Sequence, residues 1–285
     1  MSQIRKQSIV SSVVVYIGFA IGFVNTYLFT RQGGFSQSEY GLTGIFIAIA
    51  NIMYSFASFG MTAYIYKFYP YYKDNLPKKK NDMLSWALFV SLFGFCLVIV
   101  GGLVFKDLVI RKFGANSPDF VKYYYYIFPF GLGLTLFSIL EAYSWMGKKS
   151  VLTNFLREVQ FRLFTTLLFF LTITGIISSF DLFIKLYSFT YLAIAALLMA
   201  NMIATGHFHL TLRISRVTRK FYKKIMALVG FVFSGGLVFT ISGMFDSILI
   251  AAVLPDGLAL AGIYTLAQNI ASLIQAPQLY QRSCE

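Results

Sequence analysis

The chain alternates long apolar stretches with short connections that carry most of its charged residues. A helix needs about 20 apolar residues to cross about 30 Å of hydrocarbon. Eight stretches of this kind predict eight transmembrane helices: 8–30, 41–65, 84–105, 124–146, 153–177, 182–205, 226–253 and 258–278. Strands of a membrane β-barrel would alternate polar and apolar positions over about ten residues, whereas these stretches are apolar on every side. We therefore predict an all-α integral membrane protein.

Composition supports this fold class. Of the 285 residues, 58% are hydrophobic and 12% are charged, against about 25% charged in soluble domains. This balance excludes a soluble globular enzyme and a disordered chain. The first apolar stretch is too long for the core of a signal peptide and has no A-x-A cleavage site, so we predict a retained helix. Cys96 and Cys284 predict neither a disulfide framework nor a metal site.

Lys and Arg are unequally distributed over the connections, although the net charge is +13 overall. Fifteen lie at the N-terminus and in the second, fourth and sixth connections, and five lie in the first and third. Positive residues favour the cytoplasmic side, so we predict a cytoplasmic N-terminus. The third connection, 106–122, is predicted to be an external loop. Because the basic residues are spread over separate connections, no nucleic-acid partner is predicted.

Tyrosines cluster at two predicted span boundaries, in 64–72 and in 123–126. Amphipathic rings favour the level of the lipid headgroups. We interpret both clusters as an interfacial anchoring belt.

The sixth connection differs from the others in its pattern. Residues 206–225 alternate apolar and basic positions, which predicts an amphipathic helix lying on the anionic lipids of the inner leaflet. This linker separates a six-helix lobe, 1–205, from the first two helices of a second lobe, 226–285. His207 and His209 lie at its start, without nearby Cys or acidic residues, and are interpreted as a solvated loop feature rather than metal ligands.

A weak internal repeat relates the two predicted lobes. An offset of 221 places Gly22 on Gly243, Gly41 on Gly262 and Asn25 on Asp246, so spans one and two align with spans seven and eight. An even number of spans intervenes, so both copies point the same way and are related by an axis along the membrane normal. A complete second copy would give about twelve spans. We therefore expect the chain to be a fragment or truncated product.

Several short runs resemble bacterial polysaccharide (O-antigen type) flippases of the multidrug, oligosaccharidyl-lipid and polysaccharide exporter superfamily. They are Thr30-Arg31, Ser38-Glu39-Tyr40-Gly41-Leu42, Phe59-Gly60 and Lys67-Phe68 at the family's opening, and Asp246 ahead of Gly262-Ile263-Tyr264 at the start of its second lobe. The resemblance extends over the whole chain. Family members have two lobes, whereas this chain has the first lobe and two further helices.

The resemblance implies a transporter in the bacterial inner membrane rather than an enzyme, and no cofactor. It implies that a polyprenyl-pyrophosphate-linked oligosaccharide moves from the inner to the outer leaflet by alternating access. Other polysaccharide-assembly membrane proteins are its expected partners.

Few ionisable residues fall within the spans, and such residues are costly in hydrocarbon. Arg157, Glu158 and Arg162 lie on span five, and Glu141 lies at a similar depth on span four. In one interpretation Arg162 and Arg157 line a cavity and bind pyrophosphate, because guanidinium groups match phosphate oxygens. In the other, Glu158 pairs with Arg162 and Glu141 with Arg157, which leaves no net charge. Both interpretations stay open.

Asp246 is the acidic residue of span seven. It is a candidate coupling-ion or proton site, or an acceptor for a sugar hydroxyl. Alternatively it forms an interhelical hydrogen bond with Asn25. Other polar residues are candidates either for a cavity wall or for helix–helix hydrogen bonds: Asn51, Gln160, Asn201, Gln268 and Asn269.

Two other functions remain open. A drug or cation antiporter of the same superfamily would use Glu141, Glu158 and Asp246 as proton-linked carboxylates. A membrane-embedded glycosyl- or acyltransferase would need convergent acids or a His at a loop mouth, whereas the acids of the predicted external loops are scattered. The chain has no Walker, HExxH or Ser/His/Asp pattern, so neither ATPase nor hydrolase activity is predicted.

Overall fold

A computed structural model describes residues 3–29, 35–177 and 179–282; Thr30, Arg31 and Cys284 lie outside this part. Within these ranges the chain forms helices and no strand, which confirms the predicted all-α fold. The α-helices, numbered in chain order, are α1 (Gln3–Tyr27), α2 (Gln37–Ser58), α3 (Met61–Asn75), α4 (Met83–Val104), α5 (Lys106–Phe113), α6 (Pro118–Lys122), α7 (Ile127–Met146), α8 (Ser150–Asn154), α9 (Phe161–Ile173), α10 (Phe180–Tyr187), α11 (Thr190–Ala204), α12 (Arg216–Val253) and α13 (Gly257–Arg282). A π-helical segment, Phe155–Gln160, joins α8 to α9.

Helices of membrane-spanning length account for most of the described chain. Six segments are long and apolar enough to cross a membrane: Ile9–Tyr27, Gln37–Ser58, Lys78–Val104, Tyr124–Met146, Phe180–Ala204 and Arg216–Val253. The fifth and eighth predicted spans are also helical, as the continuous stretch 150–173 and as α13. Each rises more than about 30 Å at 1.5 Å per residue. The stretch 150–173 differs from the six because it carries three charged residues.

The second predicted span ends earlier than its apolar pattern indicates. Helix α2 stops at Ser58, not at Ile65, because Phe59 and Gly60 have positive φ angles of 45° and 72°. Two consecutive left-handed residues cannot continue a right-handed helix. The chain bends there into α3, which packs on α4, α7 and α12.

Helix α7 lies at the centre of the bundle and packs on α2, α3, α4 and α11. Most of its residues are buried. Aromatic rings fill the space around it: the Phe130 ring centroid lies 5.2 Å from that of Tyr187 and 5.0 Å from that of Tyr191. Phe29 meets Phe169 edge to face. These ring contacts hold α1, α9, α10 and α11 around a common interior.

The third connection is not the loop that we predicted, since it contains the short helices α5 and α6. Its Ser117 and Asn116 side chains donate hydrogen bonds of 2.6 and 2.9 Å to the carbonyl oxygens of Ala251 and Ala252, at the end of α12. Buried side chains at such contacts satisfy helix-terminal carbonyls. The third connection therefore meets the end of α12 at one end of the bundle.

The tyrosine clusters are divided between the interior of the protein and its surface. Tyr64 and Tyr72 are 2% and 0% exposed, and Tyr123 and Tyr124 are also buried. The predicted anchoring belt is wrong for these four residues, whereas Tyr66, Tyr71 and Tyr125 are exposed. Tyr64 and Tyr72 pack in the core because α3 folds back against the bundle instead of leaving it as a loop.

A buried chain of hydrogen bonds fastens the start of α12 to α3 and α4. The Tyr64 hydroxyl donates to that of Tyr72, which lies 2.7 Å from Thr218 Oγ1. Thr218 Oγ1 donates to Asp82 Oδ2 at 2.7 Å, and the Ser215 amide donates to the same oxygen at 2.9 Å. A carboxylate only accepts, so each hydroxyl in the chain donates towards Asp82.

The basic sixth connection is not a separate amphipathic helix. Residues 207–215 are not helical, and Arg216 begins α12, which runs unbroken to Val253 over 38 residues. Such a helix is about 57 Å long. The predicted boundary between 225 and 226 therefore falls inside a helix, and the division of the chain into 1–205, 206–225 and 226–285 stays a prediction.

Helices α2 and α13 touch at positions that are equivalent in the internal repeat, 221 residues apart. A Cβ atom on Gly41 would collide with the Leu258 carbonyl oxygen and lie 3.1 Å from the Gly262 amide nitrogen. A Cβ atom on Gly44 would lie 2.7 Å from Oγ1 of its counterpart Thr265. Contact between equivalent positions is the mark of a two-fold interface, and small residues permit the close approach. The contact is compatible with the repeat, which stays a prediction.

Candidate functional site

A cavity of about 430 Å³ opens between α1, α2, the π segment, α9, α10, α11 and α13. Its volume falls in the usual range of small-molecule sites, about 300–1,000 Å³. The charged residues of its wall are Arg157, Glu158 and Arg162. The polar residues are Asn25, Thr26, Thr43, Asn51, Thr165, Thr265 and Asn269. The aromatic residues are Phe29, Tyr40, Phe161, Phe169, Phe183, Tyr187 and Tyr191.

Two glycines of α1 make room for the Arg162 guanidinium. A Cβ atom on Gly18 would lie 2.8 Å from Arg162 Nη1, and one on Gly22 would lie 3.0 Å from Arg162 Nε. Either distance is shorter than an unstrained carbon–nitrogen contact, since optimal separations are about 3.5–4.0 Å. The G-x-x-x-G of α1 therefore forms a groove in which the arginine side chain lies.

The π segment turns both arginines towards the cavity. Arg157 and Arg162 are five residues apart, which in an α-helix at 3.6 residues per turn places them about 140° apart. A π-helix closes its hydrogen bonds between residues i and i+5, so residues five apart lie close to the same face. The segment Phe155–Gln160 contains Arg157 and ends two residues before Arg162. Both side chains line the one cavity as a result.

Arg162 forms an ion pair within its own helix. Its Nη1 donates to Glu158 Oε2 at 2.6 Å and to the Glu158 carbonyl oxygen at 2.7 Å. The two side chains are 23% and 20% exposed. The guanidinium also stands over the ring of Phe19, 5.3 Å from its centroid. The predicted pairing of Glu158 with Arg162 is confirmed.

Arg157 forms the second ion pair, across two helices. Its Nη2 lies 2.6 Å from Glu141 Oε2, so this predicted pairing is confirmed too. Glu141 belongs to α7, lies behind the cavity wall and has a side chain that is only 5% exposed. Its other oxygen, Oε1, is buried and accepts no hydrogen bond from the part of the protein that the structure describes. The two pairs together carry no net formal charge.

The side chain of Asn25 forms its hydrogen bonds with the helix that carries Arg162, and not with Asp246. The Asn25 side chain donates to the Arg162 carbonyl oxygen at 2.8 Å and accepts from Thr166 Oγ1 at 2.6 Å. Asp246 is exposed and accepts from the Tyr264 hydroxyl at 2.9 Å. The suggested Asn25–Asp246 hydrogen bond is therefore wrong. Asp246 does not line the cavity, because the α12 face that carries it is turned outwards.

Sequence reasoning identified the charged part of the wall and missed its aromatic part. Asn51 and Asn269 were among the polar candidates, and both line the cavity. Phe161, Tyr187 and Tyr191 were not identified, because aromatic residues are common throughout the spans and no spacing sets these apart. Within the described ranges, no group of three or more His, Cys, Asp and Glu side chains is placed to hold a metal ion.

The apolar spans, the all-helical fold and the polar cavity inside it define a multi-pass helical membrane protein. The model of a family described as polysaccharide biosynthesis protein matches residues 4–277, and the chain belongs to this family. The resemblance to polysaccharide flippases is confirmed at the level of the family. No curated protein and no solved structure matches the chain. The protein is thus a membrane protein of polysaccharide biosynthesis or export.

Proposed function

We propose that the protein moves a polyprenyl-pyrophosphate-linked oligosaccharide across the bacterial inner membrane, with its N-terminus in the cytoplasm. It acts as a transporter rather than an enzyme, by alternating access around the cavity. The observation that carries the proposal is the wall of this cavity, in which two guanidinium groups face the same space as aromatic rings, hydroxyls and amides. Anionic inner-leaflet lipids at 206–225 and other polysaccharide-assembly membrane proteins are the partners that this role requires.

The ion pairs are compatible with phosphate binding because a guanidinium has five N–H donors. In each pair a single terminal nitrogen meets the glutamate: Nη1 in Arg162 and Nη2 in Arg157. The pairing offsets part of the cost of holding a cation in a low-dielectric interior. It also fixes each side chain in place before the substrate arrives. A pyrophosphate then binds the remaining donors without a large rearrangement.

The rest of the wall suits a sugar. Phe161 and Tyr191 stack with ring centroids 4.7 Å apart, and both line the cavity. Flat apolar faces of this kind cover the C–H faces of sugar rings, while hydroxyl and amide groups satisfy sugar hydroxyls, as is usual in sites with an apolar wall and a few polar groups. The volume of about 430 Å³ accommodates the pyrophosphate and the first sugars rather than a long chain.

Neutral substitution of one pair tests the proposal. The double variant Arg162→Gln/Glu158→Gln removes the guanidinium donors of Arg162 and leaves no unpaired charge, so it keeps the helix intact. The matched control is Lys185→Gln/Asp181→Gln, which neutralises another i, i+4 pair that does not line the cavity. Surface polysaccharide is measured in a strain that lacks the native protein, together with the amount and thermal stability of the purified chain.

We expect the Arg162/Glu158 variant to lose most export at normal protein levels, by about tenfold or more, since a charge-assisted hydrogen bond contributes about 1.5–3 kcal/mol. The control retains export. Normal export by the Arg162/Glu158 variant would show that Arg162 does not bind the phosphate.

One observation favours a second function, proton-coupled antiport. Glu141 Oε1 is buried without a hydrogen-bond donor among the described residues, and a proton on this oxygen would remove the cost of an unpaired carboxylate lone pair. A proteoliposome assay distinguishes antiport from flipping. A pH-sensitive dye follows the movement of protons into the proteoliposomes while a cationic drug is added. Antiport requires a proton flux that Glu141→Gln abolishes, whereas the flippase gives no drug-dependent flux.

A further inference from the structure

A second cavity of about 430 Å³ lies at the other end of the bundle from Ser117, where three connections meet. We call this region the basic pocket. It lies between the end of α3, the α3–α4 connection, the turn after α7 and the extended segment after α11. Its wall is formed by Tyr69, Lys73, Leu76, Lys78, Asn81, Tyr143, Met146, Gly147, Lys148, His207 and His209.

The charged residues in the wall of the basic pocket are all lysines. Lys73, Lys78 and Lys148 come from three different stretches of the chain, and the wall contains no Asp or Glu among the described residues. The nearby carboxylate of Asp82 is fully buried and accepts hydrogen bonds from Ser215 and Thr218. A cleft lined by charges of one sign with low-dielectric walls concentrates counter-ions of the opposite sign.

The backbone turns Lys148 towards this pocket in an unusual conformation. Its φ is +62°, and its amide donates to the Trp145 carbonyl oxygen at 2.9 Å. Residues other than glycine rarely adopt positive φ, and such strain recurs at functional sites, where the surrounding structure maintains it. Here the turn carries the lysine into the wall of the pocket.

Two further side chains of the wall, His207 and Tyr69, can form hydrogen bonds with a ligand. His207 Nδ1 lies 2.8 Å from the Thr205 carbonyl oxygen. A carbonyl only accepts, so Nδ1 carries the proton and Nε2 is the nitrogen that can meet a ligand, as a donor when the ring is protonated. Burial raises the pKa of Tyr69. Its phenol therefore stays protonated at physiological pH and can donate its O–H.

We infer that the basic pocket is a binding site for a phosphate group, separate from the cavity of Arg157 and Arg162. Three ammonium groups and a phenol around one cleft match the several oxygens of a phosphate, and an imidazole adds a donor when it is protonated. The phosphate belongs either to an anionic lipid headgroup or to a soluble phosphorylated molecule, since the pocket lies at an end of the bundle where lipid and water meet. This site does not depend on the transport proposal.

Lysine footprinting on the unmodified chain tests the site, because Lys79 and Lys80 lie beside it, are exposed and do not line it. Acetylation of each lysine is followed by mass spectrometry. One arm uses the protein in neutral detergent with and without inorganic pyrophosphate. The other uses nanodiscs of phosphatidylcholine with and without phosphatidylglycerol.

At a ligand concentration ten times the Kd, we expect acetylation of Lys73, Lys78 and Lys148 to slow by about tenfold, with little change at Lys79 and Lys80. Protection by pyrophosphate alone assigns a soluble phosphate, and protection by phosphatidylglycerol alone assigns a lipid headgroup. Protection in neither arm overturns the site. Equal protection of Lys79 and Lys80 also overturns it, because that result is general charge screening.

A pair of triple variants with equal loss of charge provides the second measurement. Lys73→Gln/Lys78→Gln/Lys148→Gln removes the pocket cations, and Lys79→Gln/Lys80→Gln/Lys112→Gln removes three exposed lysines that do not line it. We expect the affinity for whichever probe protects the unmodified chain to fall about tenfold or more in the first variant and to stay within twofold in the second. Equal affinities in the two variants contradict the site. The Arg162→Gln/Glu158→Gln variant keeps the protection, which separates this site from the central cavity.

Discussion

Arg162 makes two contacts, an ion pair with Glu158 and a close approach to the glycines of α1. The sequence predicts the first contact but not the second. The glutamate is four residues away on the same helix, a spacing that brings side chains together on any α-helix. The glycines that make room for it belong to α1, and Gly22 is 140 positions earlier in the chain. The G-x-x-x-G pattern predicts a close approach. The pattern does not indicate which side chain lies against these glycines.

Substitution of Gly22 tests this contact. We expect Gly22→Val to displace the Arg162 guanidinium, because a Cβ atom alone would lie 3.0 Å from its Nε. Overpacking of this kind costs about 1–3 kcal/mol, and export should fall. The control is Gly243→Val, the equivalent glycine in the repeat, whose Cβ atom would meet nothing within 4 Å. Equal export by the two variants would show that the groove in α1 does not position Arg162.

A double-mutant cycle tests the pair between Arg157 and Glu141. Arg157→Gln alone leaves a carboxylate with a 5% exposed side chain unpaired, and breaking a buried pair in this way costs about 3–5 kcal/mol. The double variant Arg157→Gln/Glu141→Gln removes both charges and should recover much of that loss. Thermal unfolding in detergent gives the free energies. Additive losses would contradict the pair.

At the scale of elements, the apolar pattern predicted where helices run better than where they end or bend. Span lengths follow from hydrocarbon thickness, so α4 and α7 lie close to their predicted positions. The stop at Phe59 and Gly60 was missed because the sequence stays apolar across it. The π segment was missed for a similar reason, since no residue type marks it. Helix α12 begins within a basic stretch because Ser215 and Asp82 cap it there.

Removal of the Asp82 carboxylate should weaken the attachment of α12 to α4. Asp82→Ala leaves the Ser215 amide and the Thr218 hydroxyl without their acceptor. We expect a loss of about 3 kcal/mol, since hydrogen bonds to a charged group are worth about 1.5–3 kcal/mol each. The control, Asp74→Ala, removes an exposed carboxylate and should change stability by less than about 0.5 kcal/mol. Equal melting temperatures for the two variants would show that the buried chain of hydrogen bonds does not hold α12.

At the scale of the whole molecule, the structure brings together connections that the count of basic residues assigns to the same side. The basic pocket joins parts of the second, fourth and sixth connections, while Ser117 and Asn116 join the third connection to the end of α12. Charge counting predicted this division because the two faces of a membrane select different loops. It could not predict that α5 and α6 would form within a connection that carries four Lys and Arg residues.

Cysteine labelling across α4 tests the predicted orientation. Lys79 and Lys112 are exposed and lie on either side of helix α4 (Met83–Val104), whose 22 residues are about 33 Å long. In a background with Cys96 and Cys284 replaced by Ser, we expect Lys112→Cys to react with an impermeant maleimide in cells with a permeabilised outer membrane. Lys79→Cys should react only after the inner membrane is opened. The two variants lose the same charge, so a difference between them reports position. Labelling of both from the same side would mean that α4 does not cross the membrane, and the reverse pattern would place the N-terminus outside.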